Sequence, residues 1–169
     1  GIFFNIKSDI KLKIRLIHNT SENFTVFQNN FINFNKNCEV QLEDHFNLTN
    51  NSINNINYNI HIDESAVIKH SIFQNFANSN KLYLTSNSVC EKNSFYNQNT
   101  YNFSDGFVRN FHYAYLNGEY SNASLKGCFF LKNQNICSNK TNIIHNAENC
   151  VSDQTYKGIL NDHSKASYY

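Results

Sequence analysis

The sequence predicts an all-β fold, and three observations predict it. First, apolar and polar residues alternate with a period of two. Leu12, Ile14 and Leu16 alternate with Lys11, Lys13 and Arg15, and Ile56, Tyr58, Ile60 and Ile62 with Asn55, Asn57, Asn59 and His61. This spacing gives a strand one apolar and one polar face. Second, no stretch of about ten residues sustains the i, i+3, i+4, i+7 spacing of an amphipathic helix. Third, clusters of Asn, Ser, Asp and Lys separate short apolar runs, as turns separate strands.

The elements follow in order. The alternation at 11–16 comes first, then runs at 24–27 and 40–46. Next are 56–62, 66–73 and 82–84, then 107–116, 125–131 and 155–160. Each is rich in the β-branched, aliphatic or aromatic residues that suit a pleated, half-buried surface. Residues 166–169 read as a strand cut in its middle. Between the runs Asn does the turn work. It tolerates left-handed backbone angles and bonds to its own backbone, and Gly is scarce (5) and Pro absent.

Three units resemble one another weakly. Glu64-Ser65-Ala66-Val67 leads to Ser71-Ile72-Phe73, Asn87-Ser88-Val89-Cys90 to Ser94-Phe95-Tyr96, and Glu148-Asn149-Cys150-Val151 to Thr155-Tyr156-Lys157. Their spacing, roughly 20–60 residues, is irregular, so no strict repeat is expected. Stacked β coils and a sandwich or barrel both fit this pattern. Asn-Gly and Asp-Gly, the commonest hairpin turns, are scarce, at Asn117-Gly118 and Asp105-Gly106 alone, which favours stacked coils. In such a stack, small residues let coils approach, and turn Asn side chains form amide ladders.

Composition narrows the function. The 169 residues suit one domain, and the whole of 1–169 reads as one β core. A net charge of +1, from 14 Lys+Arg against 13 Asp+Glu, lacks the basic footprint of a nucleic-acid or polybasic membrane binder. No apolar run approaches the roughly 18 residues of a membrane-spanning helix. About one residue in five is Asn, which with abundant Ile, Lys, Phe and Tyr fits an AT-rich genome. The 15% aromatic content argues against an Asn-rich disordered chain. The chain opens on Gly1 and contains no Met, so it reads as an internal segment of a longer protein.

Few residues suggest chemistry. Cys38, Cys90, Cys128, Cys137 and Cys150 are odd in number, widely spaced and without C-x-x-C, so they read as free thiols in a reducing compartment. Asn-x-Ser/Thr triplets such as Asn19-Thr20-Ser21 and Asn139-Lys140-Thr141 follow from the Asn content alone. The seven His (His18, His45, His61, His70, His112, His145 and His163) form no H-x-H or H-E-x-x-H pair. Glu43-Asp44-His45 is the densest acid–imidazole cluster and reads as a solvated turn; Asp105-Gly106 is also a turn. Tyr156 and Lys157 are adjacent, so on a strand they face opposite sides and make no catalytic pair. His145 and Cys150 read as a turn His beside a buried Cys. No phosphate-binding loop, dinucleotide fingerprint or nucleophile elbow is present. No catalytic, cofactor-binding or metal-ligating residue is therefore assigned.

The C-terminal third carries a resemblance. His145, a polar turn, Cys150, Ser152 and the run Tyr156-Lys157-Gly158-Ile159-Leu160 resemble a signature of the SufB/SufD family of the SUF iron–sulfur cluster assembly machine. Upstream, Leu116-Asn117-Gly118, then 122–130 and 139–145, keep the family's order of strands. The likeness covers about residues 100–169, and residues 24–34 look like first coils of the same domain. The segment is more similar to SufD than to SufB. Cys150 before the Tyr-Lys-Gly-Ile strand is common in SufD-like chains, whereas the sulfur-accepting Cys of SufB would fall near Ala114.

The resemblance implies a right-handed parallel β-helix core, here a fragment without the helical regions that flank it in the family. It implies a non-catalytic scaffold that pairs edge to edge with a SufB-like paralogue and binds a SufC-like ATPase through a C-terminal helical region. An iron–sulfur cluster would be held transiently in the full complex, not by this segment. His145, Cys150 and Lys157 match the motif for reasons of fold. The compartment expected is a bacterial or endosymbiont cytoplasm, or a plastid. A SufB-like scaffold and a carbohydrate-binding or carbohydrate-cleaving β-helix are the alternatives, although sparse charge shows no carboxylate ladder for the latter.

Overall fold

A computed structural model describes residues 1–49, 51–76 and 80–169. The described residues form thirteen β-strands and no helix. In chain order they are β1 (Phe3–Ile6), β2 (Lys11–Thr20), β3 (Thr25–Phe34), β4 (Glu39–Leu48), β5 (Ile53–Ile62), β6 (Val67–Gln74) and β7 (Asn80–Cys90). There follow β8 (Phe95–Asn102), β9 (Gly106–Leu116), β10 (Asn122–Leu131), β11 (Ile136–His145), β12 (Val151–Leu160) and β13 (Lys165–Tyr168).

The odd strands make one sheet, in the order β1-β3-β5-β7-β9-β11-β13, and the even strands the other, β2 through β12. Every pairing is parallel. The chain thus climbs alternately through two facing sheets, a β-solenoid of about six turns. Stacked coils, not a sandwich or barrel, are what the alternation encodes.

The coils repeat more strictly than their side chains suggest. Register partners sit 28 residues apart in the early coils, as in the Asn57–Asn29 and Lys36–Glu64 bonds, 26 apart between β7 and β9, 27 between β8 and β10, and 29 apart in the last coils, as in Asn110–Asn139. Positive backbone angles mark most of the described corners, though not the one at 103–105 between β8 and β9. Asp9, Asn23, Asn37, Asn51 and Ser65 all have φ of 58–61°, and recur at one constant interval. Asn93, Tyr120, Asn133, Asn149 and Asp162 hold the same kind of angle at later corners, at uneven intervals, and no glycine has positive φ. The spacing is therefore far narrower than the 20–60 residues read from the sequence, at 26–29 residues per coil, without being strictly constant. The repeat resides in backbone angle and register, while side-chain identity at equivalent positions drifts.

Asn fills most of these corners because its short amide lowers the left-handed penalty. Amide rungs form between neighbouring turns: Asn35 Nδ2 donates to Asn5 Oδ1 at 3.2 Å and Asn146 Nδ2 to Asn117 Oδ1 at 2.8 Å, while Asn37 Nδ2 donates to the Asp9 carboxylate at 2.9 Å.

Inward positions make the core. Phe34, Val40, Leu42, Ile56, Ile60, Ile62, Ile68, Ile72, Leu82 and Leu84 are all buried. The Tyr156-Lys157-Gly158 run finds its reason here. Tyr156 lies over its register partner Gly127, where a Cβ would sit inside the ring. Two residues along, the glycine is on the other strand, and Gly158 leaves room for Phe129. Lys157 faces outward, level with Cys128 and Tyr101.

Candidate functional site

The Glu43-Asp44-His45 cluster is not a solvated turn. It lies within β4, where alternation turns Glu43 and His45 outward and Asp44 into the core. Outside, Lys13 and Arg15 of β2 pair with Glu43 at 2.6 and 3.0 Å. The Lys13 hydrogen bond, with help from Arg15 and His45, holds the Glu43 carboxyl down at about 2 despite partial burial. His45 stacks on Phe73, and Phe73 on Tyr101, forming an outer ladder with centroids 4.6 and 5.1 Å apart.

Inside, Asp44 is the hub of a buried network. Its Oδ1 accepts from His18 Nε2 at 2.8 Å and from the Tyr58 hydroxyl at 2.7 Å. Its Oδ2 lies 2.6 Å from His70 Nε2. The other ring nitrogen of His70 is 3.0 Å from the Tyr96 hydroxyl, which donates to Gln98 Oε1 at 2.8 Å. Asp44, His70, Tyr58 and Tyr96 are fully buried. Burial alone pushes a carboxyl up. At Asp44 the hydrogen bonds and charge of His18 and His70 outweigh it and hold the group well below the usual carboxylate range. Burial, reinforced by the Asp44 charge, pushes the Tyr58 phenol well above its ordinary value.

Polar residues continue along the axis. One inward column of the odd-strand sheet reads Asn30, Tyr58, Ser86, His112, Thr141 in register. Beside it, Gln74 and Asn110 exchange amide hydrogen bonds, and Asn110 donates to Asn139 at 2.9 Å. At one mouth, a cavity of about 320 Å³ is bordered by Ile2, Arg15, His18, Gln28 and Asn54.

Two imidazoles and a carboxylate match the donor set of a non-haem iron triad. Here each imidazole nitrogen already touches a carboxylate oxygen, which leaves no room for an ion between them. Among the described residues no group of three His, Cys, Asp or Glu side chains is arranged to hold a metal. The arrangement fastens coils together and stores charge inside the rod.

The other residues singled out by sequence are scattered. His145 is exposed and bonds Ser152 Oγ at 2.9 Å, while Cys150 Sγ contacts Ser121 Oγ at 3.3 Å, so they form no pair. Asp105 forms a bend and accepts from Asn135 Nδ2 at 2.7 Å. All five cysteines are free thiols. Burial pushes the Cys90 thiol up to about 12 and raises Cys137, although the Asn102 and Asn139 amides donate to its sulfur. Cys128 and Cys150 are half-buried. Ala114 lies fully buried between Ser88 and Ile143.

Sequence reasoning missed His18 and His70 as partners of Asp44. Each lies 26 residues from it, two short of the coil length. Two residues along a strand returns to the same face, so the offset is a signal once the repeat is known.

Parallel coils that turn hydrogen-bonded polar groups inward define a β-solenoid scaffold, stiffened by bonding between every coil and its neighbours. A family model described as SUF system FeS cluster assembly, SufBD core domain, matches residues 16–169. No curated protein matches the chain. The chain belongs to the SufBD core-domain family, and its role lies in SUF iron–sulfur cluster assembly. The match takes in the coils before residue 100, where the sequence has no distinctive motif of its own.

Proposed function

We propose that the chain is the core of a SufD-like, non-catalytic scaffold, working with a SufB-like paralogue and a SufC-like ATPase in a bacterial, endosymbiont or plastid compartment. The family match over residues 16–169 supports the SUF role, and the signature from His145 to Leu160 supports the SufD-like reading. The position where a SufB-like chain would hold its sulfur-accepting thiol is near Ala114, a buried methyl. Three of the five thiols are buried, which fits a segment that does not itself hold the cluster, since thiolates are its usual ligands. The cluster is cargo of the full complex, and five unpaired thiols suit a reducing compartment.

The mechanical role follows from the ladder. Each coil is bonded along its strands to the next, so a displacement at one end moves the column as a body. ATP-driven motion of bound SufC-like subunits would thereby reach the SufB–SufD junction. Affinity capture of the full-length protein from its native cells tests this. Recovery of a SufB-like chain and a SufC-like ATPase is expected; recovery of neither overturns the proposal.

A further inference from the structure

In this Asn-rich chain one Asn alone is followed by Gly: Asn117, at the corner between β9 and β10. That dipeptide has a chemistry of its own. An Asn side-chain amide is open to attack by the backbone nitrogen of the next residue, and a residue without a Cβ obstructs the attack least. The corner nonetheless requires the glycine. A Cβ on Gly118 would overlap the backbone of Glu91 and Lys92 in the turn below, so only glycine lets the two turns stack this closely.

Both reacting groups are engaged elsewhere in the folded chain. The Gly118 N–H donates to the Cys90 carbonyl at 3.1 Å, beside the Asn117 N–H, which donates to the same oxygen at 2.9 Å. Asn117 Oδ1 accepts from Asn146 Nδ2 of the turn above at 2.8 Å. Asn117 and Asn146 are exposed, so water reaches them and these hydrogen bonds are the restraint.

We propose that Asn117-Gly118 is a self-modification site, closed by the stacked corner and opened when this turn lifts from its neighbours. Gly118 N then attacks Asn117 Cγ, and the new C–N bond closes a five-membered succinimide. The Cγ–Nδ2 bond breaks, and ammonia leaves carrying the proton that Gly118 N gives up. One water opens the ring at either carbonyl, giving aspartate or isoaspartate at 117. No oxidation or reduction is involved. Isoaspartate adds a methylene to the main chain at a corner whose packing has no slack, so a turn that has opened and reacted does not close again. The site records opening of the column.

The test is made on the full-length protein, incubated at mildly alkaline pH either folded or in urea, with conversion at each Asn read by peptide mass mapping. In urea, conversion should concentrate at Asn117. In the folded protein it should be at least about tenfold slower there, the factor that one hydrogen bond of ~1.4 kcal/mol supplies. Asn146→Ala removes only the exposed amide rung; it should raise the folded rate at Asn117 severalfold and leave the rate in urea unchanged. Equal rates at Asn117 in the folded and urea-treated protein would overturn the proposal. So would conversion in urea spread evenly over the Asn residues, or a folded rate unchanged in Asn146→Ala.

Discussion

Asp44 shows at the scale of one residue how a buried charge ties a stack together. Its carboxylate joins β2, β4, β5 and β6. Removing one member of a buried charged network leaves the others unpaired, which costs about 3–5 kcal/mol. Asp44→Ala should lower the free energy of unfolding by that amount, read as a lower urea midpoint with an unchanged m-value. The acid response has a definite sign. Asp44 titrates lower folded than unfolded, so its contribution is present above about pH 4 and is lost as pH falls through the folded pKa. His112 adds to it. Between its folded value of about 3 and the ordinary 6.5, the unfolded chain binds the extra proton, so stability rises with pH across that window. Urea titrations from pH 3 to 7 should show the rise, and His112→Gln should flatten it. The thiols give a third residue-level check. Alkylation of the native protein at pH 8 should label Cys128 and Cys150 well before Cys90, whose thiol stays protonated to about 12.

At the scale of the element, the strands that the sequence hides are the informative ones. β2 and β5 are legible because their inward residues are Leu, Ile and Tyr. β8 and β11 are not, because Gln98, Thr100, Asn102, Asn139 and Thr141 occupy inward positions that a periodicity search expects to be apolar. The same inversion hid the Asp44 site. Three residues on three strands become neighbours only when coil length is known. The corners yield their own prediction. Tyr120 is exposed and holds a φ of 60°, a poor conformation for a bulky residue. Tyr120→Asn should stabilise the protein by about 1 kcal/mol, whereas Asn149→Val should destabilise it by about 1–2 kcal/mol. Thermal melts of the two variants check both signs.

Across the whole molecule, stability is a sum over coils, each touching only its neighbours. Amide exchange should therefore be graded along the axis. The strands β4–β9, covered on both sides, should exchange slowest, and β1 and β13 fastest, which mass-spectrometric exchange on the intact protein can read. Uniform protection from end to end would count against a column of semi-independent turns.

The coil length of 26–29 residues also bears on how such a gene changes. Copying or losing one whole 28-residue turn returns every side chain to its former side of the sheet. Gain or loss of a single codon within a strand exchanges lumen for solvent along the rest of that strand. Lineages should thus vary this rod in whole-turn steps, and accept odd-length edits only at corners, where one extra residue is absorbed as loop.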